Sequence, residues 1–246
     1  MLWSAPPIPV RLTRSEVHLW RARLDLEELE VERLGQTLTP DERARASRFR
    51  LPEHRARFTA ARGILRDILA RYLDCEPRAL EFGYRPSGKP FLARGSDADL
   101  RFNLSHSHDM ALYGFASGRE IGVDVELARP GRDHMKIAGR FFSPPEIATL
   151  QDLPAELRIE AFFRGWTCKE AYLKARGEGL AIPLSSFAVS LIPHEPASLE
   201  SVRENPGELD RWSLEAFPLA PGYPAAIAVE GRGCRLSFWD WQPLPA

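Results

Sequence analysis

Apolar positions fall at helical spacing between residues 52 and 73, where Phe58, Ile64, Leu65, Ile68, Leu69 and Tyr72 predict one long helix. A shorter helix is predicted just before it. Thr39-Pro40-Asp41-Glu42 supplies an N-cap threonine, a proline at the first helical position and a glutamate that closes a capping box. Leu51-Pro52 stops that helix, since the residue before a proline is pushed out of helical backbone. Short apolar or alternating runs predict strands over 17–20, 80–84, 100–104, 111–115 and 121–127, with a Pro86-Ser87-Gly88 turn among them.

The second part of the chain repeats this plan. Ser143-Pro144-Pro145-Glu146 is again a capping-box start, and Leu153-Pro154 again precedes a long helix. Leu51-Pro52 with Arg62-Gly63, and Leu153-Pro154 with Arg164-Gly165, recur at one constant offset. Strand-like segments at 187–191, 225–229 and 235–239 follow the second long helix. The pattern predicts an α+β protein of two similar halves, with a cleft between them as the natural place for a ligand.

Composition narrows the function. With 246 residues, 44% of them hydrophobic, the chain can bury a proper core, so a disordered or fibrous reading is excluded. A formal charge of -1 gives no global field for nucleic acid or an anionic membrane. Cys75, Cys168 and Cys234 share no metal-like spacing and make a poor disulfide framework, which fits a reducing cytoplasm. Neither a basic n-region at the start nor an apolar run near 18 residues is present, so neither export nor membrane insertion is expected. Among 33 basic residues only Lys89, Lys136, Lys169 and Lys174 are lysines; where lysine persists against arginine, a compact, flexible ammonium is wanted rather than a planar fork.

Five segments carry candidate chemistry. Ile121, Val123, Val125 and Leu127 alternate with Asp124 and Glu126, so a strand here sets two carboxylates side by side, a hard-oxygen pair suited to Mg²⁺. Taken alone, such a segment is ordinarily a half-buried strand with a wet polar face. In the second long helix Trp166, Glu170 and Lys174 share one stripe; an exposed Glu-Lys pair is commonplace, but a tryptophan beside it argues for partial burial. Residues 101–108 alternate as a strand and open at Ser105 and His106 into side chains able to hold phosphate oxygens; no G-x-S-x-G elbow surrounds the serine, and His106 alone is more often structural. Gly88-Lys89-Pro90 reads as a turn entering a strand, and the arginines of the first two helices, Arg45 and Arg62 among them, include candidates for a phosphomonoester.

In this order the blocks Gly88-Lys89-Pro90, Phe102 to Ser107, Gly122 to Glu126, Phe141-Phe142-Ser143 and Trp166 to Lys174 with Gly177 resemble the Sfp-type 4′-phosphopantetheinyl transferases over residues 39–192. The resemblance implies two subdomains related by a pseudo-twofold axis, residues 1–120 and 121–246, each a long helix packed on a small, mainly antiparallel sheet. It implies Mg²⁺-dependent attack of a carrier-protein serine on coenzyme A, with Asp124, Glu126 and Glu170 as metal carboxylates and Glu170 also as candidate base. Lys174 and His106 would serve the phosphate, and Arg45, Arg62, Lys89, Pro90 and Ser105 would help bind coenzyme A. Glu42 departs from the family, standing where some members carry a basic residue. The stretch 177–191, with Leu180, Ile182 and Leu184, would dock an acyl or peptidyl carrier protein, and a monomer is expected because one chain supplies both halves. A phosphodiesterase-like Mg²⁺ enzyme would use the same carboxylates but needs no apolar carrier-docking surface, and a silent binding protein would tolerate losses in the motifs, yet every metal carboxylate and Lys174 is present.

Overall fold

The computed structural model describes residues 2–93, 99–129, 131, 133–179, 182–203 and 205–243. In the first half α1 (Glu28–Gly35) and α2 (Pro40–Ser47) lead into the long helix α3 (Pro52–Leu73). The expected capping box is present on α2, where the Glu42 amide donates to the Thr39 hydroxyl and the Thr39 amide donates to the Glu42 carboxylate at 2.9 Å. In the second half α4 (His134–Phe141) and α5 (Pro144–Asp152) precede a second long helix, α6 (Ala155–Arg176). Ser143 and Glu146 form the matching box on α5. The final short helix is α7 (Glu208–Arg211).

The strands are β1 (Glu16–Arg23), β2 (Phe82–Tyr84), β3 (Pro90–Leu92), β4 (Leu100–Ser107), β5 (Met110–Ser117), β6 (Ile121–Val125), β7 (Phe187–Val189), β8 (Leu199–Val202), β9 (Trp212–Ala220), β10 (Tyr223–Glu230) and β11 (Arg235–Asp240). They make one sheet in the order β11-β1-β5-β4, a second in the order β6-β10-β9, and the pairs β2-β3 and β7-β8. All pairings are antiparallel except β1 with β11.

The layers follow from alternation. On β1 and β5 the residues Trp20, Ala22, Tyr113 and Phe115 face Ile64, Leu65, Ile68 and Leu69 of α3, while Val17, Leu19 and Leu112 face the other way. Those outward faces meet Ile121, Val123 and Val125 of β6 and Ile227 and Val229 of β10, so the two sheets pack on one another. Ala226 and Ala228 of β10 turn the opposite way, toward Ala171 and Ala175 of α6. The order is therefore helix, sheet, sheet, helix, and β6 is apolar-packed on one face and pressed against α6 on the other. Gly122 is what that approach requires: a Cβ there would stand 2.1 Å from the Ala171 carbonyl oxygen.

One strand pairs away from the elements it follows. The 235–239 segment reads as part of the second half, yet β11 pairs in parallel with β1, in the first half's sheet. Alternation says that a segment is a strand, but its partner is set by the whole fold. Trp241 closes this return, donating from its indole to the buried Asp67 of α3 at 2.7 Å. None of the described helices is long and apolar enough to cross a membrane.

Candidate functional site

The site lies along the seam where β4 of one sheet meets β6 of the other. β6 is an edge strand, and its open amides are met by side chains rather than by backbone. The Val123 amide donates to Asn103 Oδ1 at 2.8 Å, and the Leu127 amide donates to Ser107 Oγ at 3.0 Å. Asn103, Ser105 and Ser107 alternate along β4, so all three face the β6 side, Asn103 and Ser105 reaching β6 itself and Ser107 the residues just after it. Ser105 Oγ donates to Asp124 Oδ1 at 2.9 Å, and Ser107 Oγ donates to Glu126 Oε2 at 2.9 Å.

Asp124 sits two residues beyond Gly122 on the face that meets α6, and it is 3% exposed. From α6, Lys174 Nζ donates to Asp124 Oδ1 at 2.6 Å and to Ser105 Oγ at 3.0 Å. Glu170, one turn earlier on α6, projects along the same stripe. Burial, then the charge of Asp124, hold the Glu170 carboxyl above the usual carboxylate range, and Lys174 opposes them. Glu126 is raised by the same two causes in the same order, against its hydrogen bonds with Ser107 and Trp166. Three carboxylates and one ammonium therefore share a poorly solvated space, and the carboxylates feel one another.

Among the described residues no three His, Cys, Asp or Glu side chains form a ready-made ligand cluster. The residues nevertheless fit a hard divalent cation. Asp124 Oδ2 is buried and has no hydrogen-bond partner, an orphan that a cation would satisfy. Mg²⁺ typically takes one or two protein carboxylates and leaves its other positions to water and phosphate.

Two cavities flank the carboxylates, each of about 270 Å³. One is lined by Lys89, Pro90, Asn103, Leu104, Glu170 and Lys174, with Gly177 and Gly179 at its rim. Gly177 ends α6 in left-handed backbone, with φ at 71°, which turns the chain along this cavity. The other lies on the Glu126 side, under Leu127, Phe162, Phe163 and Trp166. His106 is exposed on β4, yet desolvation of its ring, then the positive charges of Lys174 and Arg45, hold it below the ordinary histidine value, so the neutral form is favoured there.

Several expected site residues have other partners. Lys89 Nζ donates to the Ile121 carbonyl at 2.9 Å, to Glu120 at 3.1 Å and to the Ala175 carbonyl at 3.4 Å, so it ties the first half's turn to β6 and α6. Arg62 is buried, its Nη2 on the Tyr84 hydroxyl at 2.8 Å and its Nε 3.2 Å from Glu42, although Nη1 is left without a partner. Glu42 thus has a structural occupation: it caps α2 and pairs with both Arg62 and Arg66. Arg45 stays at the surface beside Phe58. Of the apolar docking candidates, Leu184 is a correction, because it is buried in the core around α6 with Tyr172 and Leu173; Ile182 is partly buried against that core, and Leu180 lies outside the described residues. Lys169 is fully buried on Glu146 and on the carbonyls of Leu184 and Phe187, holding this segment to α6.

The sequence comparisons give this geometry a class. Residues 120–228 match the 4′-phosphopantetheinyl transferase superfamily, and residues 25–117 match the N-terminal domain described for 4′-phosphopantetheinyl transferases. The 4′-phosphopantetheinyl transferase HetI of a Nostoc species is 45% identical over 240 residues, covering 97% of this chain and 98% of HetI. The 4′-phosphopantetheinyl transferase Sfp of Bacillus subtilis is 29% identical over 204 residues, covering 83% of this chain and 87% of Sfp. Among solved structures, holo-[acyl-carrier-protein] synthase of Thermotoga maritima matches at 22% identity with a TM-score of 0.37, over 46% of this chain and 63% of that one. The chain belongs to the Sfp-type 4′-phosphopantetheinyl transferase family, and it is an enzyme of the transferase class.

Proposed function

We propose that this protein transfers the 4′-phosphopantetheine group of coenzyme A to a serine hydroxyl of an apo acyl or peptidyl carrier protein, with Mg²⁺, releasing adenosine 3′,5′-bisphosphate. The observation that supports this reading is Asp124, held by Lys174 at one oxygen and with its other, buried oxygen free of any hydrogen-bond partner, beside Glu126 and Glu170, whose carboxyls are raised by burial and by its charge. Mg²⁺, when bound, neutralises pyrophosphate charge and stabilises the leaving group. Asp124, Glu126 and Glu170 would hold it.

The remaining work falls to side chains. Glu170, raised above the usual range, is suited to accept the serine proton as the new Oγ–P bond forms. Lys174 donates to phosphate and gives a proton to the oxygen that leaves when the old P–O bond breaks. Ser105 and neutral His106 offer donors to the phosphate oxygens, and Lys89 and Pro90 line the cavity on that side. In-line displacement needs access from two opposite sides, and a cavity on each side of the carboxylates is consistent with that need. Arg45 and Arg62 are assigned to the 3′-phosphate, Arg62 through its unpartnered Nη1. The 177–191 segment is assigned to carrier docking through its exposed positions. The chain acts as a monomer in the cytoplasm, a compartment that suits its three free cysteines.

Chromatography of the nucleotide product tests this reading against hydrolysis. Adenosine 3′,5′-bisphosphate released only when apo carrier is present supports the transferase; equal release from coenzyme A alone would make the protein a hydrolase.

A further inference from the structure

We infer that Lys174 is the resident counter-ion of the carboxylate site: its ammonium holds Asp124 and yields that carboxylate to a divalent cation, moving to the phosphate of coenzyme A. The inference rests on the function proposed above and adds an order and a coupling to it.

Three observations carry it. First, the two oxygens of Asp124 are unequal. Oδ1 receives both Lys174 Nζ, at 2.6 Å, and Ser105 Oγ, at 2.9 Å, whereas Oδ2 is buried without a partner. The ammonium thus compensates a buried carboxylate while leaving a second oxygen open to a cation. Two positive ions on one carboxylate repel, and the singly charged one, held at one oxygen, is the weaker competitor.

Second, Lys174 has somewhere to go. Its side chain is 29% exposed, against 4% for Asp124, and it lines the cavity shared with Lys89 and Pro90. A swing about its stem keeps the ammonium at the carboxylate edge and brings it into that cavity.

Third, the residue type suits release. In a chain whose 33 basic residues are nearly all arginine, this position holds a lysine. A guanidinium fork would clasp Asp124 through two parallel bonds, whereas a lysine makes a point contact on a flexible stem and lets go without breaking a fixed geometry.

A coupling follows. Before coenzyme A is present, Lys174 competes with the cation, so metal affinity is low. Once a phosphate receives the ammonium, that competition ends, and by linkage each of metal and coenzyme A strengthens the other's binding.

The test uses the full chain labelled with ¹³C at lysine Cε, where four lysines give four resonances, assigned by single Lys→Arg variants. Adding Mg²⁺ without coenzyme A is expected to move the Lys174 resonance while that of the buried Lys169 stays. In parallel, free Mn²⁺ is measured by electron paramagnetic resonance. Lys174→Met is expected to bind Mn²⁺ about tenfold more tightly than the native chain without coenzyme A, and no more tightly with it, a change within the usual range of coupling between sites. A native chain that binds Mn²⁺ with the Lys174 resonance unmoved overturns the inference, as does a Lys174→Met variant of equal or weaker affinity without coenzyme A. A native chain that binds no Mn²⁺ even with coenzyme A overturns the metal reading itself, and this inference with it.

Discussion

Gly122 of β6 and Ala171 of α6 approach so closely that a single methyl on Gly122 would lie 2.1 Å from the Ala171 carbonyl oxygen and 2.2 Å from the Ala175 amide nitrogen. Both obstacles are helix backbone, which cannot rotate aside. This contact sets the spacing between the strand that carries Asp124 and the helix that carries Glu170 and Lys174. Gly122→Ala is therefore expected to cost about 1–3 kcal/mol in urea unfolding and to lower transfer activity further than that loss explains, because the carboxylates part from the ammonium. Unchanged stability would mean that the two elements are not locked together.

Asp124→Ala and Glu170→Ala are expected to lower the turnover by roughly 10²–10⁴-fold each, the scale on which positioned bases and charge-stabilising groups act. Circular dichroism of both should match the native chain, since the apolar alternation of β6 is untouched. Near-native turnover in either variant would remove that residue from the mechanism.

Glu170 also links stability to pH. A carboxyl raised by burial and by Asp124 binds its proton more tightly folded than unfolded. Its stabilising contribution is full below the ordinary value of 4.5 and is lost as pH rises through the higher folded value. Glu170→Gln, which needs no proton to stay neutral, should be more stable than the native chain at pH 7 in chelator. The gain expected is on the order of 1 kcal/mol, or about 2–4 °C in Tm, fading toward pH 4. Mg²⁺ should narrow the gap by favouring the ionised native form. A variant less stable at pH 7 than at pH 4, relative to the native chain, would mean that the Glu170 carboxyl is not raised in the folded chain.

The return of β11 gives a prediction remote from the chemistry. Trp241 is 8% exposed and its indole donates to Asp67, so Trp241→Ala opens a cavity and orphans a buried carboxylate that keeps only Arg71. A loss of about 3–5 kcal/mol is expected, read by thermal unfolding. Turnover per folded molecule at saturating coenzyme A should remain, because the seam lies on the far side of the first sheet from α3.

What could be read in the sequence was what is local. The capping boxes at Thr39 and Ser143, the two long helices and the alternation that puts Asp124 and Glu126 on one face each follow from a few neighbouring residues. Glu170 and Lys174 are likewise set on one stripe by helical spacing alone. What escaped depends on distant partners. That Asp124 faces a helix rather than water, that β11 returns to β1, and that Lys89 is held by Glu120 and two carbonyls all arise only when the sheets stack. Asn103 and Ser107 had a signal, since they alternate with Ser105 on β4, but polar alternation reads equally as a solvated edge until β6 is seen beside it. Leu184 reads as an apolar contact because leucine in a loop looks exposed, whereas Lys169 draws that loop onto α6 and buries it.

Metal-dependent transfer of phosphopantetheine to a carrier serine is the reaction proposed for the seam. Intact mass spectrometry of an apo carrier protein, incubated with this protein and coenzyme A in Mg²⁺ or in excess chelator, tests it most directly. A gain of one phosphopantetheine is expected in Mg²⁺, none in chelator, and none on a carrier whose acceptor serine is replaced by alanine. A gain undiminished by chelator, or no gain on any member of a panel of acyl and peptidyl carriers, would contradict it.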